Sequence, residues 1–240
     1  EDTVATGQPV TINTKGAIVD NIPAQLAAGS AGTKVVVADD DGYTHISTTF
    51  DSNSDKVILV YQDGNNSNYG TAVVGTVTAS DKSISFGTPA VFESAVTMST
   101  NVVFDSNSNK VVITYRDTGN SNRGTAIVGT VSGTSISFGS AAVFETGETI
   151  NMSSTFDSSN NKVVIAFEDE DDSGKGKAIV GTVSGTSISF GTAAVFNDAD
   201  TGFTSTAFDT TNNKVVIAFA DKGNSNRGTA IVGTVSGTDI

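Results

Sequence analysis

The chain has 240 residues, 37% of them hydrophobic, and carries 26 Asp and Glu against 13 Lys and Arg, a formal net charge of -13. That much negative charge repels phosphodiester backbones and anionic lipid heads, which argues against nucleic acid as a partner. There is no cysteine for a disulfide or a thiolate metal ligand, and no apolar run reaches the ~18 residues that insert a helix into a membrane.

Residues 1–44 differ from the rest of the chain. Gly7–Asn13 matches Gly191–Asn197, where a strand is expected, and predicts a strand that closes a ring beside Ile240. Lys34–Asp39 lines up with the same strand and supports a competing reading, a simple lead-in to the first repeat. Ile22–Ala28 alone has tolerable helix propensity, and Pro23 confines it to about one turn.

From residue 45 onward the chain repeats: 45–98, 99–150, 151–202 and 203–240. Phe-Asp recurs at Phe50, Phe104, Phe156 and Phe208, at spacings of 54, 52 and 52. Lys56, Lys110, Lys162 and Lys214 keep the same intervals, as do Gly75, Gly129, Gly181 and Gly233. The two extra residues of the first copy fall in the turn Thr78–Lys82, so the flanking strands keep register.

Taken in order through the second copy, four strands are predicted: around Thr100–Phe104, Val111–Arg116, Thr125–Val131 and Ser135–Phe144. They are rich in Val, Ile, Thr and aromatics and are bounded by Asn, Asp, Gly and Ser. Asp105 and its equivalents are expected to close Asx-type turns. Val111, Ile113 and Tyr115 share one strand face and Val112 and Thr114 the other, so the strand should lie between two neighbouring sheets. The glycines inside the third strand predict a bulge or a close neighbour. Phe50, Phe104, Phe156 and Phe208 are expected in the core. Such units predict an all-β β-propeller of four-stranded repeats, with a β-solenoid of stacked repeats as the alternative; tandem sandwiches would need ~100 residues per unit.

The loop Asp-x-Gly-Asn-Ser-Asn-x-Gly, at 63–70, 117–124 and 221–228, is the leading candidate for function. Asn66, Asn68 and Tyr69, with Asn120, Asn122, Arg123, Asn224, Asn226 and Arg227, would array amides, a ring and guanidiniums suited to sugar hydroxyls. The same residues are also what an ordinary exposed hairpin loop uses. The acidic variant at 169–176 places Asp169, Asp171 and Ser173 at alternate positions before a glycine, like the start of a calcium loop, although no acid completes an EF-hand. Calcium is thus the one cofactor the pattern allows, and a solvated acidic turn is the competing reading. His45, the only histidine, has no partner for a catalytic pair and is expected on the surface before the first strand. Sialidase-type propellers bind substrate carboxylate with three arginines; this chain has Arg116, Arg123 and Arg227, two of them at one repeat position, and no tryptophan. Catalysis is not expected.

The wording Lys-Val-Val-Ile-x-[Tyr/Phe]-x-Asp, followed by Gly-Thr-Ala-Ile-Val-Gly-Thr-Val-Ser-Gly-Thr-Ser-Ile-Ser-Phe-Gly, resembles repeats in structural or fibre proteins of marine tailed phages and large algal viruses. The resemblance covers 45–240 and implies a non-enzymatic virion-surface or tail-fibre protein that adsorbs to a host surface. Its partners would be other virion or surface-structure proteins and host-surface glycans, with homo-oligomers allowed and no membrane insertion. The alternative is a secreted or cell-surface glycan-binding propeller.

Overall fold

The computed structural model describes residues 11–12, 18–19, 31–37 and 43–240. Two short strands, β1 (Thr11–Ile12) and β2 (Ile18–Val19), pair with each other. The first repeat contains β3 (Tyr43–Asp51), β4 (Lys56–Asp63), β5 (Tyr69–Thr78) and β6 (Ser83–Phe86). The second contains β7 (Ala90–Asp105), β8 (Lys110–Asp117), β9 (Arg123–Ser132) and β10 (Ser135–Phe138). The third contains β11 (Ala142–Asp157), β12 (Lys162–Asp169), β13 (Lys175–Ser184) and β14 (Ser187–Phe190), and the fourth β15 (Ala194–Asp209), β16 (Lys214–Asp221) and β17 (Arg227–Gly233).

Local chemistry explains the hairpins. Asp105 is buried and its Oδ1 accepts the N–H groups of Asn107 at 2.9 Å and Ser108 at 3.1 Å, with Ser108 Oγ donating to Oδ2. Asp51, Asp157 and Asp209 close their turns through the same two backbone bonds. The expected Asx turns are present in all four repeats.

The strand predicted over Ser135–Phe144 is two segments. β10 pairs with the C-terminal half of β9, and β11 begins at Ala142 opposite Ala126, in the N-terminal half. The chain breaks between them at Gly139 because the next repeat crosses it there: a Cβ on Gly139 would lie 1.8 Å from the carbonyl oxygen of Thr186. β11 then runs on without a turn, and Ser153–Asp157 pairs with β12. One long strand therefore serves two repeats, as β7 and β15 also do. The expected division at 98/99 falls inside β7.

All the repeats consequently belong to one antiparallel sheet path, running from β17 at one end to β3 at the other. The path is open: β3 and β17 do not pair, and the predicted closed ring is not formed. Of the proposed closing strand Gly7–Asn13, only Thr11–Ile12 is described, and it pairs with Ile18–Val19 rather than with β17; the rest lies outside the described residues, as does Ile22–Ala28. Of the lead-in segment Lys34–Asp39, residues 34–37 are described and carry no strand, and 38–39 lie outside the described residues. A Cβ on Gly32 would meet the carbonyl of Lys82 at 1.9 Å, just as one on Gly87 would meet Thr134 at 1.9 Å.

Packing is face to face. Val111, Ile113 and Tyr115 meet Ile58, Val60 and Val74 of the preceding repeat. The other side of the second repeat, Val112, Ala126 and Val128, packs on Val163, Ile165 and Phe167 of the third. Val164, Ala166 and Val180 of the third in turn cover Val215, Ile217 and Phe219. Strands apolar on both faces are thus sandwiched as expected. The Phe-Asp aromatics are a correction: Phe104, Phe156 and Phe208 are only partly buried at the cluster margins, and Phe50 is 55% exposed. Phe50 belongs to the first repeat, and no earlier repeat is among the described residues. The buried aromatics are instead Phe92 and Phe144, which with the half-buried Phe196 cross to the next repeat and pack on Tyr115, Phe167 and Phe219 at centroid distances of 5.1–5.3 Å.

Two sets of glycines make room for this. A Cβ on Gly129 would sit 2.7 Å from Val111 Cγ2 and 2.9 Å from Ile136 Cδ1, which is the close neighbour predicted for the third strand. Gly124 lies under the Phe144 ring, with a Cβ placed 2.5 Å from it. Phe144→Ala should cost about 3–5 kcal/mol, whereas Phe50→Ala should cost about 0.5 kcal/mol or less. Urea unfolding of the two variants beside the parent checks the contrast.

Candidate functional site

The loops between the second and third strands have a strict backbone requirement. After β8 and β16 a 3-10 turn (Thr118–Asn120 and Lys222–Asn224) leads to two left-handed residues, Ser121 and Asn122 at φ 59° and 61°, or Ser225 and Asn226 at 58° and 57°. Ser67 and Asn68 repeat them at 57° and 61°. Asparagine tolerates this region better than other non-glycine residues, and the third repeat uses Gly174 there, at φ 72°. The carbonyl of that residue then accepts the N–H of a threonine in the next repeat. The bonds are Thr97 to Asn68 at 3.1 Å, Thr149 to Asn122 at 3.0 Å and Thr201 to Gly174 at 2.8 Å. The Asn-Ser-Asn loop is therefore a clamp between repeats, and its recurrence has a folding reason. Asn66, Asn68, Asn224, Asn226 and Arg227 are exposed, whereas Tyr69, Asn120, Asn122 and Arg123 are half-buried. Arg123 Nη1 donates to Asn120 Oδ1 at 3.2 Å.

The acidic loop is neutralised from within. Lys177 lies 2.6 Å from Asp169 and 2.9 Å from Asp172, and Lys175 lies 3.2 Å from Asp172 and 3.0 Å from Asp198. Asp169 Oδ1 also accepts the Asp171 N–H, Asp171 accepts the Glu148 N–H, and Ser173 is a left-handed cap. A lysine thus occupies Asp169, a backbone N–H occupies Asp171, and no group of three or more His, Asp or Glu is placed to hold a metal among the described residues. The sequence carries the signal, since Lys175 and Lys177 follow the acids within five residues of Asp172.

A second feature of this rim was invisible in the sequence. Each first strand carries a bulge, which in β7, β11 and β15 lies a few residues beyond the clamp, with register shifts at Thr44/Ser47, Met98/Asn101, Ile150/Ser153 and Gly202/Ser205. At each bulge a non-glycine residue is left-handed: His45 at φ 52°, Ser99 at 50°, Asn151 at 47° and Phe203 at 51°. His45 therefore lies inside a strand, not before one. The bulges are stitched together, since the Thr100 hydroxyl donates to the His45 carbonyl and the Thr204 hydroxyl to that of Asn151. Beside them, Val102 N–H reaches Ser47 Oγ at 3.2 Å and Ser154 N–H reaches Asn101 Oδ1 at 3.1 Å, so successive first strands lie against one another. Ser99, Thr100, Asn151, Met152, Phe203 and Thr204 line an open hollow of about 270 Å³, with the Phe203 ring 79% exposed.

Charge behind the hollow is buried and paired. Glu168 is fully buried and accepts from Asn151 Nδ2 at 2.6 Å and Lys222 Nζ at 2.7 Å; Lys222 also reaches Asp200 at 2.7 Å. Burial raises the Glu168 carboxyl above its ordinary range against the pull of those two donors. The hydrogen bond from Lys222 holds Asp200 below its own. Burial alone would lower Lys222, but its two carboxylate partners outweigh it and raise it. On the other flank Arg116 pairs with Glu148 at 2.6 Å, and burial followed by the Arg116 charge lowers His45, favouring the neutral imidazole.

No family model and no curated protein matches the sequence. Among solved structures, the NanB sialidase from Streptococcus pneumoniae is similar at a TM-score of 0.50 and 13% identity, over 72% of this chain and 27% of that one. The exo-β-1,3-galactanase from Phanerochaete chrysosporium, with β-1,3-galactotriose, is similar at 0.51 and 9%, over 88% of this chain and 48% of that one. The chain spans less than half the length of either, and likeness at such identity shows the fold alone. The virion tail-fibre reading is overturned here: the solved structures found to share the fold include a sialidase and a galactanase.

Two substitutions check the electrostatics and the clamp. Lys222→Met should cost about 2 kcal/mol at neutral pH by leaving Glu168 buried without its cation. A carboxyl with a raised folded value favours the fold while protonated and loses that advantage as pH rises through the value. The deficit should therefore shrink in mildly acidic urea titrations. Asn122→Gly should be nearly neutral in thermal melts, as Gly174 implies, whereas Asn122→Val should cost about 1–2 kcal/mol.

Proposed function

We propose that this chain recognises neutral carbohydrate without transforming it, at the hollow between the bulges. The observation that carries this reading is the Phe203 ring, exposed and held in a left-handed conformation beside Asn151, Ser99 and Thr100. An L-residue with a bulky side chain adopts that backbone only where its surroundings enforce it, and bulges of this kind re-aim side chains next to sites. A flat apolar face rimmed by amide and hydroxyl groups matches a sugar ring, with C–H groups on one side and hydroxyls at the edge. The hollow is below the ~300–1,000 Å³ of sites that bury drug-sized ligands, which suits a sugar unit held at the surface.

Neutral glycans are favoured over acidic ones. The net charge of -13 disfavours anions, and Arg116 is engaged by Glu148. Binding is favoured over catalysis because the most buried carboxyl behind the hollow, Glu168, is held by Asn151 and Lys222 and has no exposed surface. Sharing a fold with a sialidase and a galactanase is in keeping with a saccharide ligand. The face-to-face stacking of four-stranded units is in keeping with consecutive blades of a propeller-like arc.

A glycan array followed by calorimetry on the best neutral hit tests the proposal, with β-1,3-galactotriose as a defined probe. Phe203→Ala, an exposed change that should leave the melting temperature in place, should weaken binding about tenfold or more, the worth of one aromatic contact. No arrayed glycan bound, or equal binding by the variant, would sink it.

A further inference from the structure

In each repeat one residue of the second strand backs the bulge of the first. The four are Gln62, Arg116, Glu168 and Ala220, opposite Thr44, Met98, Ile150 and Gly202. Gln62 and Ala220 show that the fold fills this place without charge, and a buried ion pair is often no more stabilising than an apolar group of similar size. Stability therefore gives no reason for Glu168, which lies fully buried in the third repeat with described repeats on both sides. Its contacts give one. Oε1 accepts from Lys222 Nζ at 2.7 Å and Oε2 from Asn151 Nδ2 at 2.6 Å. An ionised carboxylate only accepts, so the Asn151 amide is locked with its NH2 group toward Glu168 and its Oδ1 turned away. That oxygen has no donor on it among the described residues, and Asn151 lines the hollow. The hydroxyl protons of Thr100 and Thr204 are already spent, on the carbonyls of His45 and Asn151. Of the polar side chains that line the hollow, Ser99 keeps a hydroxyl that can turn either way.

We propose that Glu168 is a positioning residue for the hollow: by holding Asn151 it sets the site to accept hydrogen bonds, so that a sugar is read through a hydroxyl that donates. The ligand class is then a neutral sugar with that hydroxyl free. A methyl ether, a fluorine or a carboxylate at the same place brings lone pairs to a lone pair and is refused. The inference rests on the carbohydrate reading and adds to it the sense of the hydrogen bond. Glu168→Gln reverses that sense. Lys222 keeps the carbonyl oxygen of the new amide, whose NH2 group then faces Asn151, and Asn151 must turn its own NH2 group into the hollow.

Two measurements on the full chain test it. In the free protein, the Asn151 side-chain amide protons should exchange with water about tenfold more slowly in the parent than in Glu168→Gln, as read by NMR. Equal rates would overturn the proposal. The second measurement is calorimetry with β-1,3-galactotriose, or the strongest neutral binder of the array, and its monofluoro analogues. Fluorine at one hydroxyl should weaken binding to the parent about tenfold or more, because it leaves Asn151 Oδ1 without a donor. Glu168→Gln should lose most of that penalty, and a penalty unchanged in the variant would remove the role of Glu168. The comparison on the parent needs no variant and stands if Glu168→Gln does not fold. Fluorine tolerated at every hydroxyl would sink this inference alone, whereas a parent that binds no glycan would sink the carbohydrate reading and this inference with it.

Discussion

The structure depends on strands that are apolar on both faces. Val111, Ile113 and Tyr115 point to one neighbour, and Val112 with the facing Ala126 and Val128 to the other, all of them buried. A single four-stranded unit could bury only half of that surface against itself. Stacking supplies the other half, so the stability of each repeat is shared with the next. Residue size is adjusted to this sharing: small Val and Ala on one face meet Ile and aromatic groups on the other, and a phenylalanine from the fourth position crosses each junction.

The long strands convert that stacking into a rim with defined chemistry. Because β7, β11 and β15 each begin in one repeat's sheet and finish in the next, every junction contains a point where the chain changes partners. The pleat of one sheet does not continue into the pleat of the other, and the mismatch is taken up by extra residues in a bulge. The clamp from the Asn-Ser-Asn loop fixes the strand a few residues earlier, at Thr97, Thr149 and Thr201. Ser99, Asn151 and Phe203 are thereby forced into a left-handed backbone whatever their side chains prefer, and His45 adopts the same backbone at the equivalent place in β3. A fixed backbone device with a variable side chain is a means of presenting different groups at equivalent places.

The third and fourth repeats show how acidity is accommodated near that rim. Glu168 occupies the position that holds Gln62 in the first repeat, where the side chain bonds to Thr44 and to the Thr97 carbonyl. A neutral amide satisfies that site by itself. The carboxylate needs Lys222 from the following repeat, and Lys222 in turn draws in Asp200. In the acidic loop at 169–172, Asp169 and Asp172 are paired in the same way with Lys175 and Lys177.

The repeat, the turns and the buried faces were legible from the residues alone, because they follow from local rules. Asp105 closes a turn on its own backbone, alternation marks Val111, Ile113 and Tyr115 as one face, and a glycine at 129 marks a close neighbour. Composition also singled out the Asn-rich loops, but it does not separate a ligand-binding amide from an asparagine chosen to sit at positive φ. The rest belongs to the tertiary structure. Fusing Ser135–Phe144 into the following strand depends on the Thr186 backbone crossing Gly139, some fifty residues away in sequence. Whether the sheet path closes depends on which strand the ends of the path meet. The bulge row has no residue signature, because His, Ser, Asn and Phe share no side-chain chemistry, only an equivalent place in the first strand of each repeat.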